Sequence, residues 1–328
     1  MKFYTSVLPY RGRLLVRGVD KDGTQKKYRI NYKPSLFVPV GKETKYKTLD
    51  GRYVERIKFD SMPEATKWVN EYKNVTNFEY FGNTRHQYPF IADEFKGKID
   101  WDMNKIKLLT IDIECESENG FPSPEKADQP LICITVKDHT TKKIIVFGMG
   151  NFVNDREDVQ YINCVTETGL VETFTKFWVE YNPDIITGWN VKFFDIPYLM
   201  NRFRYLMGDE WLNQFSPWGI VEQKSASVLF ASREQQVWNI MGVDTLDYLD
   251  LYRKFTFVRR ESYKLDYIGE VELGQNKLDN PYDTFKEFYS NDYQRFVEYN
   301  IQDVELVDKL EDKLQLIALF LTMAYEAK

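Results

Sequence analysis

The chain has 328 residues, 43% hydrophobic and 16% aromatic, which excludes a disordered protein and allows two domains with a sizeable core. A formal net charge of −6 argues against binding nucleic acid through bulk charge, although acidic groups that hold metals make overall charge a weak guide. Two histidines exclude a His-based triad or a His-rich zinc site, and the three cysteines, Cys115, Cys133 and Cys164, form neither a disulfide framework nor a zinc pattern.

Residues 1–103 read as a mainly β domain with one clear helix. Asp22-Gly23 and Asp50-Gly51 are hairpin turn signals between alternating runs. Ser61-Met62-Pro63-Glu64 has the form of a capping box, and Ala65, Trp68, Val69 and Tyr72 then share one helical face.

Residues 104–328 alternate strand and helix. Lys105 to Glu114 is a predicted strand. Strand alternation puts Asp112 and Glu114 on one face and Leu109, Ile111 and Ile113 on the other, which should pack on a helix layer. Two carboxylates about 7 Å apart by strand rise repel, and a shared cation turns that repulsion into binding. Cys115 should face the core. Leu131 to Lys137 and Ile144 to Phe147 are strands joined at His139-Thr140, with His139 solvated. Leu170, Val171, Phe174, Phe177, Trp178 and Tyr181 mark an amphipathic helix.

Asp195 follows a strand-like stretch, Asp184 to Val191, and precedes Ile196-Pro197 and a helical stripe. Alone it reads as an N-cap; its place at the mouth of an α/β sheet also suits ligand binding. Both can hold, since the two oxygens of a carboxylate can serve different partners. Asp244, Asp247 and Asp250 read as capping or surface residues. The segment from about Asp292 to Tyr325 carries a helical stripe of Phe296, Tyr299, Asp303, Val307, Leu310, Leu314 and Ile317. A carboxylate in an apolar stripe needs a partner, and no Lys or Arg stands at i±3 or i±4 of Asp303. A metal would serve, and Tyr299, one turn away, would face the same site.

TIDIE, NVKFFD and YNIQD, in this order, resemble the three motifs of DEDD-type 3′–5′ exonucleases, with Tyr299 marking the tyrosine subtype. YKPSLFVP, GFPSPEKADQP, IITGWNVKFFDIPYLMNR, LDYLDLYRKFTF and SYKLDYI extend the likeness. Together they resemble the amino-terminal and exonuclease regions of T-even-phage-type family B DNA polymerases over nearly the whole chain. The resemblance implies an α/β, ribonuclease-H-like exonuclease domain with a mixed sheet, preceded by a mainly β N-terminal domain. It implies proofreading hydrolysis of a single-stranded DNA 3′ end, or of a primer-template, to nucleoside 5′-monophosphates. Two divalent ions, Mg²⁺ or Mn²⁺, are implied: Asp112 shared by both, Glu114 and Asp303 on the first, Asp195 reaching the second through water. Tyr299 would orient the attacking water.

In the same family Phe121 matches an aromatic that stacks on the terminal base, or it is a core Phe in a Pro-bounded loop. Asn190 matches a substrate-contacting Asn, or it is a turn residue. Residues 222–239 would form a strand-separating hairpin, and Lys264 either sits near the scissile phosphate or is a surface lysine. Lys26-Lys27-Tyr28-Arg29, Arg253-Lys254 and Arg259-Arg260 are solvated basic faces. Polymerase motifs of the D-x-x-S-L-Y-P-S and Y-x-D-T-D type do not occur, so DNA synthesis by this chain alone is not expected. The expected partner is the remaining polymerase portion, as a second subunit or a missing segment, against which the apolar run Leu316 to Tyr325 would pack. That run is too short to span a bilayer and no signal peptide follows Met1. A cytoplasmic location is therefore expected, in the host cell if the protein is of phage origin. The competing readings are a free-standing RNA exonuclease and a non-catalytic nucleic-acid-binding module.

Overall fold

The first six strands pair into two small antiparallel sheets. A computed structural model describes residues 1–118, 120–227, 234–276 and 278–327. It divides into two units, Met1–Asp102 with the residues from Met323 onward, and Met103–Thr322.

In the first unit β1 (Phe3–Tyr10), β2 (Arg13–Val19) and β3 (Gln25–Ile30) form one antiparallel sheet. β4 (Ser35–Pro39), β5 (Tyr46–Lys47) and β6 (Tyr53–Lys58) form another, in the order β4-β6-β5. Both predicted Asp-Gly turns are present, with Gly23 and Gly51 at φ of 84° and 88°, where a side chain would be strained. Helix α1 (Met62–Tyr72) starts at Ser61, whose hydroxyl accepts the Glu64 N–H. The return bond goes one residue further back than predicted: the Glu64 carboxylate accepts from Asp60 N–H at 2.8 Å. Ala65, Trp68 and Val69 pack on Leu36 and Phe59. α2 (Gln87–Glu94) completes the unit's helices, and Tyr325 belongs here too, its hydroxyl donating to the Tyr4 carbonyl at 2.6 Å.

The second unit is a mixed sheet with helices on both faces. Its elements are β7 (Leu108–Cys115), β8 (Leu131–Asp138), β9 (Ile144–Gly148), β10 (Val159–Asn163), α3 (Glu167–Tyr181), β11 (Ile185–Gly188), α4 (Asp195–Met207) and α5 (Asp209–Leu212). There follow β12 (Val221–Ser227), β13 (Glu234–Ile240), β14 (Asp244–Asp247), α6 (Tyr248–Phe255), α7 (Leu265–Leu273), α8 (Phe285–Asn291), α9 (Tyr293–Leu314) and α10 (Leu316–Glu326), the last of which passes into the first unit at Met323. The strand order is β10-β9-β8-β7-β11-β14; β7 and β9 run antiparallel to β8, and the remaining pairings are parallel. This is the mixed α/β arrangement of a ribonuclease-H-like exonuclease domain. On one face Leu109, Ile111 and Ile113 pack with Phe174 and Trp178 of α3 and with Leu199 and Phe203 of α4. On the other, Cys133, Ile144 and Val146 pack with Phe288 of α8 and with Phe296 and Ile301 of α9. Asp112 and Glu114, on the second face of β7, therefore meet α9.

Three local expectations change. The strand predicted from Lys105 starts at Leu108, because Met103–Lys105 winds into a 3₁₀ turn. The long C-terminal helix is broken at Gln315, a left-handed residue at φ 52°. The Glu311 carboxylate then accepts the N–H groups of Ile317 and Ala318 and so caps α10. Leu316, Ile317, Leu321 and Tyr325 are buried within the chain itself, while Leu319 and Met323 of the same run are exposed. β12 and β13 pair as the expected hairpin strands; residues 228–233 of that stretch lie outside the described residues.

His139 is not solvated. Its Nδ1 lies 3.1 Å from Asp308 on α9, and Lys137 and Lys142 reach the same carboxylate at 2.9 and 2.8 Å. Burial opposes ionisation of Asp308, but the bonds from His139, Lys142 and Lys137 outweigh it and hold the group well below the usual carboxylate range. This knot ties α9 to the β8–β9 turn and so sets the height of α9 over the sheet.

Candidate active site

Asp112 and Glu114 stand two residues apart on β7, with Thr135 and Cys133 as their uncharged partners across β8. Tyr299 and Asp303, one turn apart, bring α9 over them. One carboxylate oxygen from each of Asp112, Glu114 and Asp303 falls within 4.8 Å of the others, with Asp303 buried and the other two half-buried. Three carboxylates crowded this closely repel. An all-oxygen donor set of this kind fits a hard dication such as Mg²⁺ or Mn²⁺.

Asp195 does not cap its helix. It is the first residue of α4, and Phe194 holds the cap position without a side-chain bond. Its Oδ1 instead accepts the N–H of Ile113, between the two acidic residues of β7, at 3.2 Å. Burial pushes its carboxyl up to about 7. Backbone donors oppose that rise, and the charges of Asp247 and Asp303 add to it. Asp195 lies outside the 4.8 Å trio but lines the same cavity of about 630 Å³, as do Asp112, Glu114, Tyr299, Asp303, Phe121 and Asn190.

The model for the exonuclease domain of DNA polymerase family B matches residues 64–268. The chain belongs to the family B DNA polymerases. The DNA-directed DNA polymerases of Escherichia phage RB69 and Enterobacteria phage T4 are 32% and 29% identical across the whole chain. The DNA polymerase delta catalytic subunit of Caenorhabditis elegans is 30% identical over 67% of this chain and 21% of its own length. The chain spans 39% of each of the two phage relatives. Tyr299 and Asp303 lie beyond the stretch matched by the family and within the whole-chain likenesses.

Around the trio, this exonuclease domain of a family B polymerase offers two kinds of surface. Phe121 is 86% exposed, its ring centroid 5.4 Å from that of Phe194, so it is no core residue. Tyr299 is half-buried, packed edge-on against Phe285 and Phe288. Asn190 sits just after β11 in a left-handed turn at φ 68°, so the turn reading and the cavity position hold together. Lys264 is exposed at the start of α7 and is not among the cavity's lining residues.

Asp247 matters more than its sequence suggests. It caps α6 by accepting the Leu249 N–H at 3.0 Å, as a capping reading expects. Buried, it also accepts the N–H groups of Asn190 at 3.1 Å and Lys192 at 3.0 Å. Burial pushes its carboxyl up to about 6, against the pull of those donors. One side chain thus fixes the turn that carries Asn190 to the cavity. The Leu-Asp-Tyr-Leu spacing announces the cap; nothing local announces the grip on a loop over fifty residues away.

Proposed function

We propose that the chain is the 3′–5′ exonuclease, or proofreading, portion of a family B DNA-directed DNA polymerase, acting on single-stranded DNA 3′ ends. The observation that carries this reading is the meeting of Asp112, Glu114 and Asp303 oxygens within 4.8 Å at the wall of one cavity. Asp112, Glu114 and Asp303 would hold two divalent cations, with Asp195 contributing through water. Such cations supply acidification of the attacking water and neutralisation of charge on the leaving 3′-oxygen.

The chain's own groups do the rest. The Tyr299 phenol orients the water for attack on phosphorus. The phosphorus–O3′ bond breaks, O3′ takes up a proton, and the nucleoside 5′-monophosphate departs. Phe121 offers a ring face to the terminal base, which must be unpaired to stack there without sequence preference. The Asn190 side chain contacts the same nucleotide. Residues 1–103 serve as the amino-terminal domain and 104–328 as the exonuclease domain, with the remaining polymerase portion as partner and the cytoplasm, or a host's cytoplasm, as location. Among the described residues no helix is long and apolar enough to cross a membrane.

Incubation of 5′-labelled single-stranded DNA and RNA with Mg²⁺ tests this. A ladder of DNA shortened from the 3′ end is expected. Ladders on RNA alone, or binding without cleavage of either, would overturn it.

A further inference from the structure

Asn300 sits between Tyr299 and Asp303 in sequence, yet it is fully buried beneath them. Its Nδ2 donates to Oδ2 of Asp112 at 2.6 Å. Its Oδ1 accepts from the thiol of Cys133 at 3.3 Å. Chemistry fixes which end of the amide faces which partner. The NH₂ group can only donate and the carbonyl only accept, so the NH₂ group faces the Asp112 carboxylate oxygen and the carbonyl end is left for the thiol. Burial pushes the Cys133 thiol up, keeping it protonated and able to donate. Cys133 is itself the strand partner of Glu114, so the chain of bonds runs under both acidic residues of β7.

We propose that Asn300, aligned by Cys133, is a positioning residue that fixes the rotation of the Asp112 carboxylate and commits one oxygen to the protein. The other oxygen is then aimed at the cation site beside Glu114 and Asp303. A neutral donor suits this task. A Lys or Arg in the same place would also hold Asp112, but its charge would repel a dication a few ångströms away. At 2.6 Å the bond is short, so it can hold Asp112 in place beside its two acidic neighbours.

This inference rests on the metal-dependent reading above, and the test separates the two. Mn²⁺ binding is titrated calorimetrically, and single-stranded DNA cleavage is measured, on the full chain and on Asn300→Leu, which keeps the bulk and removes the donor. Groups that hold a metal ligand from behind are worth about 10–100-fold in metal affinity or turnover. Asn300→Leu is expected to weaken Mn²⁺ about tenfold and lower kcat by a similar factor, with KM for DNA within about twofold. An unchanged Mn²⁺ isotherm in a folded Asn300→Leu overturns the inference. Failure of the parent chain itself to bind Mn²⁺ or cleave DNA overturns the parent reading instead. If Asn300→Leu does not fold, Cys133→Val and Cys133→Ser decide. Ser keeps a donor for the amide and Val does not, so Val is expected to bind Mn²⁺ about threefold more weakly, a smaller effect than loss of the amide itself. Equal affinity in those two overturns the proposal.

Discussion

Of the three buried carboxylates on helix α9, Asp303 and Asp308 stand five residues apart and meet opposite company. Asp303 turns toward Asp112 and Glu114, while Asp308 turns toward Lys137, His139 and Lys142. Both are almost fully buried, at 4% and 3% exposure. A carboxylate held by two lysines and a histidine is satisfied by the protein alone. One pressed against two others stores repulsion that a bound dication relieves. The first arrangement anchors a helix, and the second is an all-oxygen set that could hold a metal ion.

The sharpest break in that contrast removes each cluster in turn. Asp112→Ala with Glu114→Ala is expected to lower DNA cleavage by roughly 10⁴-fold or more while unfolding stays cooperative. Retained cleavage in a gel assay sinks the site. Asp308→Ala should do the reverse. It leaves Lys137, only 9% exposed, without its partner, and is expected to cost about 3–5 kcal/mol in urea unfolding. A loss under about 1 kcal/mol would show that the knot does not anchor α9.

Asp308 and Asp195, which lies beside the trio, also respond to pH with opposite signs. Asp308 titrates lower in the folded state, so its contribution is present above the ordinary carboxylate value and is lost as the pH falls toward its folded value. Asp195 titrates higher, at about 7, so in EDTA its contribution is present below about pH 4 and is lost as the pH rises through 7. Asp195→Asn keeps an acceptor for the Ile113 N–H and removes the charge. In EDTA at pH 8 it is expected to be more stable than the parent, by on the order of 2 kcal/mol, with no such gain at pH 4. Parallel melting curves across that range would refute the assignment. The smallest effect concerns the cavity rim: Phe121→Ala should raise KM for single-stranded DNA about tenfold, within the worth of one base–aromatic stack, and leave stability unchanged. An unaltered KM would take Phe121 out of substrate binding.

Much of the trio was legible because it is written in local periods. The two-residue repeat of β7 decides that Asp112 and Glu114 share a face, and the helical repeat of α9 decides that Tyr299 and Asp303 do. The cap role of Asp247 was legible for the same reason. The break at Gln315 was not, since no Gly or Pro marks it and the signal is a carboxylate four residues earlier that caps the next helix. His139 looked solvated because its partner is 169 residues away. Asp195 looked like a cap because its true acceptor role serves an N–H 82 residues upstream.

By itself, then, the order of residues determined the faces: which side chains of a strand or helix look the same way, and that acidic groups stand on two of those faces. The family resemblance added the expectation that the faces meet; only the tertiary structure decided that Asp195 bonds to Ile113, and that Asn300 and Asp247 hold Asp112 and the Asn190 turn from behind. The physical reason is range. Side-chain direction follows from backbone geometry within a few residues, whereas a hydrogen bond between distant segments exists only once packing has brought both ends together.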